Sequence, residues 1–189
     1  MHHVQSVRSV VVLFVVGMAS VAAQAGGQEM PQMPKPGPEH ELLKQEAGTW
    51  DAVVEITPAP GAPVQKSTGV ETVRLSCGGL CLITDFKGDM MGMTFEGHGV
   101  TTWDAAKKKY VGSWTDSMST GLAIGESTYD PATKTSTGWM EGPDQSGKVM
   151  KARSKVEWTG PDSRVFTMYS TGPDGKDVEG MKITYTKRK

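Results

Sequence analysis

After Gly48 the chain is cut into short stretches by turn chemistry and offers no further segment helical enough to carry a crossover between parallel strands. Dividers such as Pro58-Ala59-Pro60-Gly61, Gly78-Gly79, Gly88-Asp89, Asp130-Pro131-Ala132-Thr133 and Gly172-Pro173-Asp174-Gly175 can supply the φ values that tight turns need. Between them apolar and polar residues alternate, the period of a strand with one buried face. The spacing predicts strands over about 49–57, 64–77, 80–87, 90–103, 109–118, 122–129, 134–141, 148–158, 163–171 and 176–186. About ten consecutive antiparallel strands in one small domain remove their exposed edges most simply by closing. The expected fold is therefore all-β, an antiparallel up-and-down β-barrel, with a two-sheet sandwich as the competing architecture. The 23 glycines and 11 prolines argue in the same direction, because the interior of a helical bundle tolerates neither.

The front of the chain reads differently. Residues 1–25 have the form of a secretory signal: Arg8, then the apolar run from Val10 to Val16, then Ala23-Gln24-Ala25 as a cleavage site. That run is too short to span a bilayer, so the expectation is export, to a periplasmic or secreted location, with no membrane attachment after cleavage. Residues 26–37, with Pro31, Pro34 and Pro36, form a polar tether that buries too little to be ordered. From Pro38 to Gly48, a proline in the first turn, early acids, the pair Leu42-Leu43 and a closing glycine predict one short helix. Residues 38–189 thus make a single barrel domain behind that helix.

Charge excludes one class of partner. Twenty basic residues against 21 acidic ones leave no basic footprint for nucleic acid. His40 and His98 are too dispersed to begin a zinc site, so no metal and no cofactor are expected. Met90, Met93 and their neighbours read as adaptable core filling rather than soft-metal ligands. Cys77 and Cys81 flank a three-residue hairpin loop in a chain bound for an oxidising compartment, a geometry that permits a bridge; reduced thiols are the alternative. No nucleophile-base pair, P-loop or dinucleotide fingerprint is present.

Several stretches together are similar to one family. Gly37-Pro38-Glu39-His40 with Leu42-Leu43, Gly48-Thr49-Trp50, Phe95-Glu96-Gly97-His98-Gly99, the run from Lys109 to Met118 and the closing Ile183-Thr184-Tyr185-Thr186-Lys187-Arg188 resemble the DUF1579 family of exported bacterial proteins. The resemblance implies a calycin-like barrel and an exported context, with no reaction attached. Gly48-Thr49-Trp50 is also similar to the opening of lipocalins. That resemblance implies Trp50 as the plug of the barrel floor and a basic residue, here Arg188, lying over its ring.

The phase of the strands then nominates a site. With Trp50 inside, Ala52, Val54 and Ile56 follow it inward while Asp51 and Glu55 face out. The same alternation sends Met91, Met93, Phe95 and Trp103 inward, then Tyr110, Trp114 and Met118, then Leu122 and Ile124. Asp116 and Glu126 ride on those faces, and an inward carboxylate needs donors or must neutralise. The reading favoured is a non-enzymatic barrel that takes a small, largely apolar ligand. Its expected walls are Met93, Phe95, Tyr110, Trp114 and Trp139, with Asp116 and Glu126 as polar anchors. Three alternatives stand beside it: both acids at the rim or on turn amides, a barrel filled solid by its own side chains, and an enzyme using the inward acids.

Overall fold

The computed structural model describes residues 32–189 except Pro60, Met91 and Pro173. The segment read as a signal and most of the tether lie outside the described residues, as does Met91. Residues 32–37 carry neither helix nor strand.

One short helix, α1 (His40–Glu46), precedes ten strands. These are β1 (Gly48–Ile56), β2 (Gln65–Ser76), β3 (Cys81–Met90), β4 (Met93–Asp104), β5 (Lys109–Asp116), β6 (Ala123–Asp130), β7 (Thr135–Pro143), β8 (Val149–Gly160), β9 (Ser163–Thr171) and β10 (Asp177–Lys187). Each strand pairs antiparallel with its chain neighbour, and β1 closes on β10, giving the closed barrel that alternation and turn spacing predict. One divider is displaced. Gly88-Asp89 lies inside β3, which continues until Met90 faces Met93, so the connection falls after Met90 rather than at the predicted divider. There Gly92 takes φ +77°, and the Asp89 carboxylate accepts its N–H at 2.9 Å.

Gly48 explains the turn from helix to barrel. Its φ of +141° is costly for any residue with a Cβ, and it lets the chain leave α1 directly into β1. The helix then folds over one end of the barrel, burying Leu42 and Leu43. Three hydrogen bonds hold it there: the Trp50 indole N–H donates to the Glu46 carbonyl at 2.9 Å, the Tyr110 hydroxyl to the Glu39 carbonyl at 2.7 Å and the Lys187 ammonium to the Gln45 carbonyl at 3.2 Å. Trp50 is wholly buried, and Ala52 and Val54 follow it inward. Arg164, beneath the helix, packs between the rings of Trp50 and Tyr185 at 4.8 and 4.1 Å from their centroids and is bonded to Glu71. Removing either charge would leave the other without its partner in the interior.

The lipocalin-like expectation for Arg188 needs correction. Lys187, not Arg188, is the cross-strand partner of Trp50, so alternation turns Arg188 to the outer surface, where its guanidinium binds Asp51 at 2.6 Å. The cation over the Trp50 ring is supplied by Arg164, with the Lys187 ammonium at 5.0 Å. Cys77 and Cys81 are bridged across the tight connection between β2 and β3.

Candidate functional site

The register of β5 to β8 decides which side chains see the interior. Tyr110 pairs with Ser127, Gly112 with Gly125 and Trp114 with Ala123, so the inner row of β6 is Ala123, Gly125, Ser127 and Tyr129. β7 and β8 continue it with Ser136, Gly138 and Met140 facing Val156, Ser154 and Ala152. Most of these residues are glycine, alanine or serine. They leave a cavity of about 230 Å³ against the end of α1, bordered by Glu46, Tyr110, Trp114, Ser127 and Ser154 among others.

This register overturns part of the expected wall. Leu122 and Ile124 are 58% and 51% exposed, and Glu126, on the same outer row as Ile124, points away from the interior. The Glu126 carboxylate is held by Lys107 at 2.7 Å and Lys109 at 2.8 Å, which lower its pKa to about 2. Trp139 pairs with Glu126 and lies on the same outer row, under the Lys151 ammonium at 4.2 Å, yet both residues still line the cavity, reaching it past the strand glycines. The paired glycines Gly112 and Gly125 leave only backbone between that outer surface and the cavity. A bulky apolar residue outside and a small one inside reverse the usual cue, and the phase of β6 cannot be read from hydrophobicity alone.

The inward expectation holds for Phe95, Tyr110 and Trp114. Phe95 packs edge-on to Phe86 with ring centroids 5.7 Å apart, apart from the cavity border. Tyr110 sits edge-on to Trp103 at 5.0 Å, and burial with nearby Glu46 pushes its hydroxyl up to about 12. The Trp114 indole lies across the inner face of β4: a Cβ on Gly99 would come within 2.9 Å of it, and one on Gly97 would collide outright. Gly97-His98-Gly99 is therefore a seat for this ring. Met93 is half exposed at the far rim, facing Met90, and does not border the cavity.

Asp116 faces inward at the end of β5, yet both its oxygens are engaged. One accepts the Trp114 indole N–H at 2.9 Å and the other the Met118 backbone N–H at 2.8 Å. It fixes a ring and a turn. The two acids considered as a pair are thus separated by the barrel wall. His98 faces out and binds Asp85 at 2.6 Å, while buried His40 accepts the Gly37 N–H at 3.0 Å. Among the described residues no three His, Cys, Asp or Glu side chains are grouped as metal ligands.

Sequence reasoning missed Glu46. It stands three positions after Leu43 and four after Leu42, which places it on the buried face of the helix, and that spacing was the available signal. Its carboxyl borders the cavity and receives no hydrogen bond from the described residues. Burial raises its pKa, Arg164 opposes the shift and Glu71 reinforces it. Also missed were Arg164 and Glu71, although Arg164 alternates with Phe166 and Met168 on one strand face.

The helix-capped barrel, its floor tryptophan and the closing strand carry the motifs that prompted the resemblance. A family profile described as "Protein of unknown function (DUF1579)" matches residues 35–187. The chain belongs to the DUF1579 family. Among curated proteins none matches it. Solved structures of other proteins share its fold. An S-type phycobiliprotein lyase, CPES from Guillardia theta, is 13% identical with a TM-score of 0.54, the likeness covering 80% of this chain and 93% of that one. Rv2717c from M. tuberculosis is 8% identical with a TM-score of 0.58, covering 81% of this DUF1579 chain and 99% of that one. At these identities the likeness concerns the barrel alone.

Proposed function

We propose that this DUF1579 barrel is a non-enzymatic binder of one small, largely apolar molecule held inside the barrel beside α1. The observation that carries the reading is the cavity of about 230 Å³, kept open by glycine, serine and threonine at inward positions while the opposite flank buries Trp50, Val54, Ile183 and Tyr185. Inward positions that carry hydroxyls instead of branched aliphatics leave apolar burial unused, a stability loss of roughly 1 kcal/mol or more at each. Ligand cavities combine apolar walls with a few placed polar groups, and Trp114, Tyr110, Phe166 and Met140 beside Glu46 and Ser127 have that composition. The anchoring roles expected for Asp116 and Glu126 pass to Glu46 and the inner hydroxyls.

Native mass spectrometry of the protein purified from its own host tests the reading. The expected result is a retained small-molecule mass on the unaltered protein and its loss from Ser127→Phe, which fills the cavity. No retained mass, or the same mass on the filled variant, would overturn it. We further propose export before binding. The Cys77–Cys81 bridge supports this, since such bonds persist in oxidising compartments. N-terminal sequencing of the mature protein should begin near residue 26; a chain still starting at Met1 would remove that part of the proposal.

A further inference from the structure

We propose that the ligand of this cavity carries a small organic ammonium group, received by the Glu46 carboxyl. The inference rests on the reading of the cavity as a binding site and specifies what that site takes. The argument begins with charge balance beneath the helix. Two carboxyls, Glu46 and Glu71, face one guanidinium, Arg164, and the structure bonds Arg164 to Glu71. Glu46 feels the Arg164 charge but is left without a bond to it. Its backbone carbonyl accepts the Trp50 indole, but its carboxyl takes no hydrogen bond from the described residues and borders open space. A half-buried carboxyl without a protein donor can accept one from a ligand.

The other groups around that space suit a cation. Tyr110 and Trp114 border the cavity, and aromatic rings attract ammonium groups through their quadrupoles. Ser127 and Thr101 present hydroxyl oxygens that can accept the remaining N–H bonds. The titratable neighbours of Glu46 are Glu71 on β2, Tyr110 on β5, Arg164 on β9 and Tyr185 on β10. The Lys187 ammonium donates to the Gln45 carbonyl at 3.2 Å, outside the cavity border. Asp116, at the other end of Trp114, is already occupied by the indole and the Met118 amide.

In the empty cavity burial favours the neutral carboxyl. When an ammonium enters, the carboxyl ionises, its proton passes to solvent, and the ion pair replaces the O–H. Binding then releases up to one proton per ligand, while a neutral ligand of the same shape releases none.

Isothermal titration calorimetry at pH 7, in two buffers of different ionisation enthalpy, tests this with benzylammonium and benzyl alcohol as matched probes. The expected result is that benzylammonium binds about tenfold more tightly or better, as a charge-assisted bond should. Its heat should depend on the buffer and that of benzyl alcohol should not. Glu46→Gln should erase both the preference and the proton release, leaving benzylammonium bound no more tightly than benzyl alcohol. The buffer dependence is measured on the unaltered protein and so does not require the variant to fold. Equal affinities without proton release would overturn the ammonium assignment and leave the cavity as a binding site. Failure of both probes to bind would overturn the binding reading together with it.

Discussion

Two flanks of one barrel are built on the same backbone and filled in opposite ways. On β1, β9 and β10 the inner row carries Trp50, Val54, Arg164, Ile183 and Tyr185, and Trp50 meets Trp158 edge-on at 5.9 Å. On β5 to β8 the equivalent positions carry Gly112, Gly125, Ser127, Ser136 and Ser154, and the cavity lies against them. Strand number and tilt set the width of a barrel, but residue volume decides whether that width is core or container. The comparison locates specificity of function in the small residues, which hydrophobic patterning passes over.

The comparison breaks most visibly on the packed flank. Arg164→Ala leaves the Glu71 carboxylate buried and unpaired, and should cost about 3–5 kcal/mol in chemical unfolding. Replacing both partners by apolar residues, Arg164→Met with Glu71→Leu, should recover most of that loss. If the single replacement costs less than about 1 kcal/mol, the pair is more hydrated than its burial indicates. A smaller effect contrasts the flanks directly. Val54→Phe adds volume where no space exists and should cost about 1–3 kcal/mol, whereas Ser127→Val on the open flank should change stability by less than about 1 kcal/mol. Equal costs at the two positions would mean that the open flank is packed after all.

Acids inside and outside the wall should respond to pH with opposite signs. Lys107 and Lys109 hold Glu126 at about 2, below its ordinary 4.5, so it stabilises the fold above pH 4.5 and loses that contribution as the pH falls toward 2. Burial holds Glu46 above 4.5, so it destabilises the fold once the pH passes 4.5 and the unfolded chain can ionise. Glu126→Gln should therefore lower the thermal midpoint at pH 7 and leave it unchanged near pH 2. Glu46→Gln should raise the midpoint at pH 7 and have no effect below about pH 4. Thermal unfolding across that range reads both, and a lowered midpoint for Glu46→Gln at pH 7 would show that the ionised carboxyl is already satisfied.

How much was legible in the sequence follows the same division. Turn residues and alternation placed the helix, the ten strands and the closed barrel, because each hairpin carries its own local signal. The phase of β1 was readable since Trp50, Ala52 and Val54 separate cleanly from Asp51 and Glu55. The phase of β6 was not, because Ile124 lies outside, above the Gly112–Gly125 pair, and nothing local records that β5 sets the register. For the same reason Tyr110 and Trp114 were found and Glu126 and Trp139 were placed on the wrong face. Glu46 was hidden by its type: an acid at a helix end reads as solvated, although its spacing from Leu42 and Leu43 turns it inward. The Gly88-Asp89 divider misled because a glycine beside an aspartate signals a turn, while Gly88 is needed where β2 approaches β3 closely.

The smallest effect concerns the two basic residues at the end of β10. Lys187 lies opposite Trp50 on the inner phase, 5.0 Å from its ring, and donates to the Gln45 carbonyl at the end of α1. Lys187→Ala removes one cation–π contact and one tie to the helix, so it should cost about 0.5–1 kcal/mol. Arg188 is one residue on and therefore on the other face, joined to Asp51 in solvent, where side-chain entropy and screening offset the attraction of an exposed pair. Arg188→Ala should move the urea midpoint less than Lys187→Ala does, and less still in high salt. A larger shift for Arg188→Ala than for Lys187→Ala would return the lipocalin-like role to Arg188 and contradict the register of β1 against β10. That register sets the packed flank, so the two alanine variants also test the side of the comparison that the cavity leaves untouched.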